Sequence, residues 1–397
     1  MSGFSPEFRL LAACCRWPED EARAAAITAA AAGPLDWQQF ERLALRHRVV
    51  PLAARGIRGR DGVPAEVAAR LAARASAEAV QGLALTAETL RLQGLFNAAG
   101  LPLTVAKGVP LALLAYGNVG LKTSRDIDLL TERACMLPAA RLLEANGYRS
   151  LVGDEGILTE AGLEHALAFE KDVSFVHRQN GHIVELHFAL ARVAQLLPSL
   201  ADHIPTQEVR LGARPIRTLE SGAYYAYLCL HGIRHTWGRL KWLTDVNALL
   251  RSGVGDVAAL HARATAEGIP RLSLVALSLA HEVFGLEVPP VLLAEARRSL
   301  PVRIMVASAR RSLREWDGSD QWSERSMIRQ RLNQLLYLED AAYVRSMLRM
   351  IWADDPDLRG LHPPAGRALG YHLLRVPSWI WRMSRRALSR KLGRRGK

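Results

Sequence analysis

Asp126 and Asp128 stand one residue apart in the run Arg125-Asp126-Ile127-Asp128-Leu129-Leu130, where the intervening and following residues are apolar. Two carboxylates inside a hydrophobic run are costly to place in a core unless something positive neutralises them. Side chains alternate faces along a β-strand, so Asp126 and Asp128 project to one side while Ile127 and Leu129 point to the other. The pattern asks for a strand with one face in an apolar core and the other turned to a cation. One such strand offers two carboxylates to the same ion or ion pair.

The chain changes character on either side of this element. Phe4 to Ala99 reads as helical, rich in Ala, Leu, Glu and Arg, with breaks near Pro18, Pro34, Pro51 and Gly62-Val63-Pro64. Ala65 to Ala98 keeps helical periodicity without proline and meets a stop at Gly100. Leu101 to Ala106 then suits a short buried strand, Lys107-Gly108 a turn, and Val109 to Tyr116 a short helix. Arg125 to Thr131 reads as a strand and Ala134 to Asn146 as a helix ending at Gly147. Two more strands are expected over His165 to His177 and His182 to Leu190, joined by Arg178-Gln179-Asn180-Gly181, and Asn-Gly between apolar runs signals a hairpin. Gln207 to Leu211 is a further strand candidate ahead of Pro215, and from Leu219 helices return, over Tyr224 to His235, Leu240 to Leu250 and beyond. The expected fold class is α+β, with a small mixed β-sheet core at 100–216 between helical regions at 1–99 and 217–365 and a basic amphipathic tail at 366–397.

Charge needs to be located before it is interpreted. The chain carries +13, but Tyr371 to Lys397 holds nine Lys or Arg and no acid, which leaves +4 on the other 370 residues. The basicity is mostly a tail, and the body lacks the extended basic stripe of a nucleic-acid binder. In the tail, Trp379, Trp381 and Met383 interleave with Arg382, Arg385, Arg386, Arg390 and Lys391. That composition suits an amphipathic helix on an anionic membrane surface, and equally an acidic partner, nucleic acid or a solvated basic helix. Cys14, Cys15, Cys135 and Cys229 have neither metal-ligand spacing nor disulfide density, so a reducing cytoplasm is the expected compartment. Met1 to Arg16 does not read as a signal peptide, and no apolar run reaches the roughly 18 residues of a membrane span.

The second strand of the expected hairpin contains Val184-Glu185-Leu186-His187, in which Glu185 and His187 share a face. Asp126, Asp128 and Glu185 together form a set of hard oxygen donors that suits Mg²⁺, which keeps several waters and takes one or two carboxylates plus substrate phosphates. Two such ions stabilise both the attacking and the leaving oxygen of an in-line displacement. Lys107-Gly108 supplies the complement, because a glycine-containing turn into a helix presents N–H donors to an anion. Lys107, Lys122 and Arg125 add positive charge for phosphate.

The succession Lys107-Gly108, Tyr116-Gly117, Arg125-Asp126-Ile127-Asp128-Leu129-Leu130 and Glu185-Leu186-His187 resembles the bacterial uncharacterised nucleotidyltransferase family, within the polymerase-beta-like nucleotidyltransferase superfamily. His231-Gly232, His235-Thr236-Trp237, Leu240-Lys241-Trp242-Leu243 and Asp245 are similar to the helical region of the same family. The resemblance covers roughly Leu101 to Arg251. It implies a nucleotidyltransferase core with two Mg²⁺ ions, an NTP donor such as ATP, release of pyrophosphate and an acceptor that the sequence does not name. By position Asp126 and Asp128 match the paired metal ligands, and Glu185 the third carboxylate, as a ligand or as the acceptor of the hydroxyl proton. Lys107-Gly108 stands where a Gly-Ser turn is usual, and Lys122 where many relatives have Arg, which removes a bidentate fork.

Three signals carry competing readings. His187 either orients Glu185, contacts substrate or is structural. His231 and His235 have the helical spacing used for zinc, but the glutamate of a His-Glu-x-x-His site is replaced by Gly232, so a cleft-lining role is expected, with Arg234, Arg239 or Lys241 available to phosphates. Trp237 and Trp242 are expected in the core. The alternative to an enzyme is a non-catalytic nucleotide-binding or regulatory module that keeps the same fold.

Overall fold

The computed structural model describes residues 3–152, 156–193, 195–315 and 324–353, and the basic tail lies outside them. Five helices open the chain: α1 (Pro6–Cys14), α2 (Glu21–Ala31), α3 (Trp37–His47), α4 (Val50–Ile57) and the 34-residue α5 (Ala65–Ala98). The first three are started by side chains that accept from the first turn, Ser5, Asp20 and Asp36. The mixed segment follows as β1 (Thr104–Val105), α6 (Val109–Tyr116), β2 (Asp126–Leu130), α7 (Met136–Ala145), β3 (Tyr148–Ser150), α8 (Glu160–Phe169), β4 (Asp172–His177), β5 (Ile183–His187), α9 (Ser199–Asp202), β6 (Thr206–Leu211) and β7 (Arg214–Leu219). Helices resume as α10 (Ser221–Arg234), α11 (Leu240–Arg251), α12 (Val257–Ala266), α13 (Pro270–Phe284), α14 (Pro290–Arg298), α15 (Leu300–Arg314), α16 (Glu324–Gln334) and α17 (Ala341–Ala353). Two units divide the chain, Met1–Val344 and Arg345–Lys397; the described part of the second is the remainder of α17. Among the described residues no helix is long and apolar enough to cross a membrane.

The seven strands form one mixed sheet in the order β3-β4-β5-β2-β1-β7-β6. This is the α+β architecture expected, with helices on both flanks of the sheet segment. α5 and α6 have the expected bounds, and β4 and β5 form the expected hairpin, with Gly181 at φ +71 in its turn.

One expectation is corrected. His165 to His177 is not one strand: its first part belongs to helix α8, whose start is capped by Thr159, and only Asp172–His177 is extended. The run Ala166-Leu167-Ala168-Phe169 is apolar without β-branching, and such a run fits a buried helix as well as a strand. A strand without a counterpart in the sequence reading, β7, runs through Pro215, a residue that ordinarily argues against a central strand. Here β1 reaches β7 only at Thr218, so the Pro215 end has a ladder partner on the β6 side alone.

The alternation read from the sequence separates the sheet into two chemistries. Ile127, Leu129, Val173, Phe175, Val184 and Leu186 are buried in an apolar cluster with Leu85, Leu92 and Phe96 of α5 and Met136, Ala140 and Leu143 of α7. At about 25 cal/mol per Å² of apolar surface, each such side chain contributes roughly 1.5–3 kcal/mol, which holds the strands in register. A slip by one residue would turn the carboxylates into that core. The other face therefore carries the polar residues.

Candidate active site

Parallel pairing of β2 with β5 sets Asp126 opposite Ile183, Asp128 opposite Glu185 and Leu130 opposite His187. Antiparallel pairing of β4 with β5 sets Asp172 opposite His187. Asp126, Asp128, Glu185 and His187 of the sequence motifs, joined by Asp172, thus share the polar face across three neighbouring strands. Asp126, Asp128, Asp172 and Glu185 line a cavity of about 400 Å³ whose other walls include α10 and α11.

Asp128 is the buried centre, with 1% exposure. Its Oδ1 lies 2.8 Å from Lys107 Nζ and 3.2 Å from His187 Nε2. His187, fully buried, also lies 3.5 Å from Glu185 Oε2 through the same nitrogen. On its other edge Nδ1 is 3.1 Å from Lys171 Nζ and 3.4 Å from Asp172 Oδ2. His187 therefore ties three carboxylates into one network, the orienting role among its candidate readings. Lys171 and Asp172 form a direct ion pair.

Electrostatics separates the two motif aspartates. Burial pushes the Asp128 carboxyl up, but Lys107 and the His187 contact outweigh it and hold Asp128 below the usual carboxylate range. Burial likewise opposes the Lys107 charge, and Asp128, with Asp126 further off, outweighs it and raises Lys107 well above its ordinary value. Asp126 goes the other way: burial and the like charges of Asp128 and Glu185 raise it, against Lys107 and Lys241. It is a carboxylate whose charge the surrounding side chains leave under-compensated.

That imbalance bears on a cation. Among the described residues, Asp128, Glu185 and His187 form a group whose ligand atoms all lie within 4.8 Å of one another. Asp126 shares their face and carries the excess negative charge. Carboxylate oxygens of this kind suit a hard divalent ion, and the residues present fit one.

The cationic side chains are distributed along the cavity. Lys122 makes a buried ion pair with Asp245 of α11 at 2.6 Å, and the Tyr116 hydroxyl donates to the same carboxylate at 2.8 Å. Lys241, one helical turn before Asp245, donates to the Thr123 carbonyl at 3.4 Å. Burial, with Lys122 and Arg48 adding repulsion, lowers Lys241 to about 7. Arg48, Arg192, Arg234 and Arg239 also line the cavity. Arg125, by contrast, is exposed beside Asp126 and is not part of the lining.

Gly108 is on the cavity wall at φ +73 and ψ −116, a backbone conformation that only glycine adopts readily, and it precedes α6. Pro110 occupies the first turn of α6, so one of that turn's N–H donors is missing. Tyr116-Gly117 closes the same helix, with Gly117 left-handed at φ +66 and Tyr116 aimed at Asp245.

His231, His235 and Trp242 make an aromatic wall. The His235 ring stacks on Trp242 with centroids 4.6 Å apart, and His231 meets His235 edge-on at 5.0 Å. Burial, reinforced by surrounding cations, keeps both imidazoles neutral: His231 is well below its ordinary value and His235 is lowered to about 3. Neither belongs to a group of three metal-ligating side chains among the described residues. Trp237 is fully buried, as expected, while Trp242 lines the cavity. Gly232 leaves the space Trp237 fills, since a Cβ there would meet the indole at 2.3 Å.

Sequence reasoning missed Lys171 and Asp172, although the pairing of β4 with β5 that places them was legible. It also missed the Lys122–Asp245 pair, because 123 residues separate its members.

The profile of a family described as uncharacterised nucleotidyltransferase matches residues 33–285. A solved structure similar to part of this chain is the crystal structure of an antigenic nucleotidyltransferase-like protein from Paracoccidioides brasiliensis, at 12% identity and a TM-score of 0.30, covering 50% of this chain and 86% of that one. No curated protein matches.

Proposed function

The chain belongs to the uncharacterised nucleotidyltransferase family, and from that premise we propose that it moves a nucleoside monophosphate from an NTP to a hydroxyl-bearing acceptor, releasing pyrophosphate, with Mg²⁺ held by Asp126, Asp128 and Glu185. The observation that carries this reading is the register of β2 on β5, which sets those three carboxylates in one row facing a cavity lined by eight Lys and Arg side chains.

In the proposed reaction the acceptor oxygen forms a bond to the α-phosphorus, the bond from that phosphorus to the β-phosphate oxygen breaks, and the electron pair leaves with pyrophosphate. The acceptor proton passes to the Glu185 carboxylate. Bound Mg²⁺ supplies charge neutralisation at the triphosphate and the leaving oxygen. Lys122 and Lys241 stabilise the departing charge from fixed positions, Asp245 holding Lys122 in place. His187 fixes Asp128 and Glu185 relative to one another. Fixed charges of this sort cost no reorganisation during the reaction, and most of the acceleration in phosphoryl-type transfer comes from them.

One observation favours a second reading, a non-catalytic nucleotide-binding module: Lys107 already neutralises Asp128 from within the chain. Incubation with α-labelled NTPs, Mg²⁺ and a metabolite extract separates the two. A labelled product together with pyrophosphate supports transfer, and its loss in a folded Asp126→Ala/Asp128→Ala variant assigns it to this site. Tight NTP binding without any labelled product supports the module. Full activity of the folded double variant would overturn the site assignment.

A further inference from the structure

Six of the eight cationic residues of the cavity fall into two groups at opposite ends of the carboxylate row, with Lys107 on the central Asp128. Lys122 precedes β2, at the end where Asp126 pairs with Ile183. Arg48, Lys241 and Asp245 gather there, so that this end holds three cations with two carboxylates, Asp126 and Asp245. Lys171 precedes β4, which is antiparallel to β5, so it lies at the other end, against His187. Arg234, the last residue of α10, closes that end; its charge acts on both Lys171 and Asp172. Arg192 pairs with Glu170 nearby at 3.3 Å. This second end therefore holds three cations and two carboxylates.

We propose that Arg234 and Lys171 form an anion subsite for the acceptor, so that the acceptor carries a carboxylate or phosphate close to its reacting hydroxyl. The inference rests on the nucleotidyl-transfer reading and adds a substrate class to it. Two observations and one physical argument support it. Arg234 is half-buried on the cavity wall, and among the described residues it forms no ion pair. It shares the cavity lining with a second cation, Lys171, which pairs with Asp172 and lies 3.1 Å from His187 Nδ1. Cations gathered in a partly dehydrated pocket lower its free energy once an anion joins them.

The direction of the assignment comes from position. The Lys122 end gathers Arg48, Lys122 and Lys241 on the side of the row away from Glu185 and suits a leaving pyrophosphate. The Lys171 end lies beside Glu185, the carboxylate assigned to the acceptor proton. A hydroxyl next to Glu185 and an anionic group on Arg234 then belong to one small molecule. Arg234 is well suited to such a group, because its guanidinium grips a carboxylate or phosphate through two parallel hydrogen bonds.

The test is calorimetry with inorganic phosphate and, separately, acetate as probes, on protein saturated with Mg²⁺ and an NTP analogue whose α,β-bridging oxygen is replaced by methylene. The expected result is one further anion bound with the analogue in place. Arg234→Gln weakens that anion at least tenfold, Arg234→Lys by less, and both leave analogue affinity within twofold. A preference for phosphate or for acetate identifies which group the acceptor carries. Unchanged second-anion affinity in Arg234→Gln overturns the proposal, as does the absence of a second anion in the loaded protein. A tenfold loss of analogue affinity in Arg234→Gln also overturns it, by assigning Arg234 to the donor. If the analogue does not bind, the nucleotidyl-transfer reading falls on its own. The subsite is then tested by phosphate titration of the nucleotide-free protein: a site lost in Arg234→Gln and kept in Lys122→Gln supports it, and a single site lost in both variants overturns it.

Discussion

Lys122 and Asp245 meet at 2.6 Å, both almost wholly buried, and join the strand-bearing segment to the helix that roofs it. The pair has a second tie, the Tyr116 hydroxyl on the same carboxylate. Removing one member of a buried ion pair strands the other charge in a low-dielectric setting, at a cost of about 3–5 kcal/mol. Asp245→Ala is accordingly expected to lower unfolding stability by that amount in urea titrations. Lys122→Met in the same background should recover part of the loss, and two additive losses would show that the pair does not act as a unit.

The motif aspartates should separate in stability while agreeing in activity. Asp126 has a folded-state value above its unfolded one, so its contribution is favourable only at acid pH and has been lost by neutrality. Asp126→Asn should leave stability at pH 7 unchanged or raise it by about 1 kcal/mol. Asp128 is depressed, and its charged form is what Lys107 and His187 hold. Asp128→Ala should cost about 3–5 kcal/mol by leaving Lys107 uncompensated. Both should reduce nucleotidyl transfer by roughly 10²–10³-fold or more, read by pyrophosphate release.

How much of this was readable beforehand depends on sequence distance. Asp126, Asp128 and Glu185 were legible because the two-residue period of a strand fixes a face from local sequence alone. The helices Ala65–Ala98 and Val109–Tyr116 were legible for the same reason, each bounded by its own glycine. Lys107 on Asp128, Asp172 on His187 and Asp245 on Lys122 were not, since each needs the strand order or the docking of α11, and neither is a property of any short window. Arg125 shows the converse: although adjacent in sequence to Asp126, it is exposed and outside the cavity lining.

Lys241 supplies a pH signature for ligand binding. With its value lowered to about 7, it is substantially uncharged at pH 8. An anion placed beside it favours the charged form, so binding of an NTP at pH 8 should take up protons and affinity should fall as pH rises above about 7. Calorimetry in buffers of different ionisation enthalpy measures the uptake, which should vanish in Lys241→Met.

His235 gives an acid-side signature for folding. Its folded value of about 3 lies below the unfolded value of about 6.5, so its contribution is complete above the latter and lost as pH falls toward the former. Unfolding free energy should therefore decline across that interval, by up to about 1.4 kcal/mol per pH unit from this one group. A His235→Gln variant with the same pH slope as the parent would refute the assignment.

Gly232 tests the close approach of Trp237. Glycine to alanine within a helix ordinarily stabilises by about 0.5–1 kcal/mol. At this position the added methyl meets the indole at 2.3 Å, and overpacking of that kind costs about 1–3 kcal/mol. Gly232→Ala should lower Tm, with Trp237 fluorescence reporting the displacement.

Parallel adjacency of β2 and β5 requires a crossover between Leu130 and Ile183, which runs through α7, the edge strand β3, α8 and β4. The excursion contains β4 with Lys171 and Asp172, while the strands that flank it contain Asp126, Asp128 and Glu185. Lys171 of the proposed acceptor subsite is thereby encoded in a different stretch of chain from the carboxylates, with Arg234 of α10 joining it from a third. Changes of length or composition in the excursion could retune which molecule receives the nucleotide while the carboxylates stay where they are, which makes this crossover the natural place to graft a new acceptor preference.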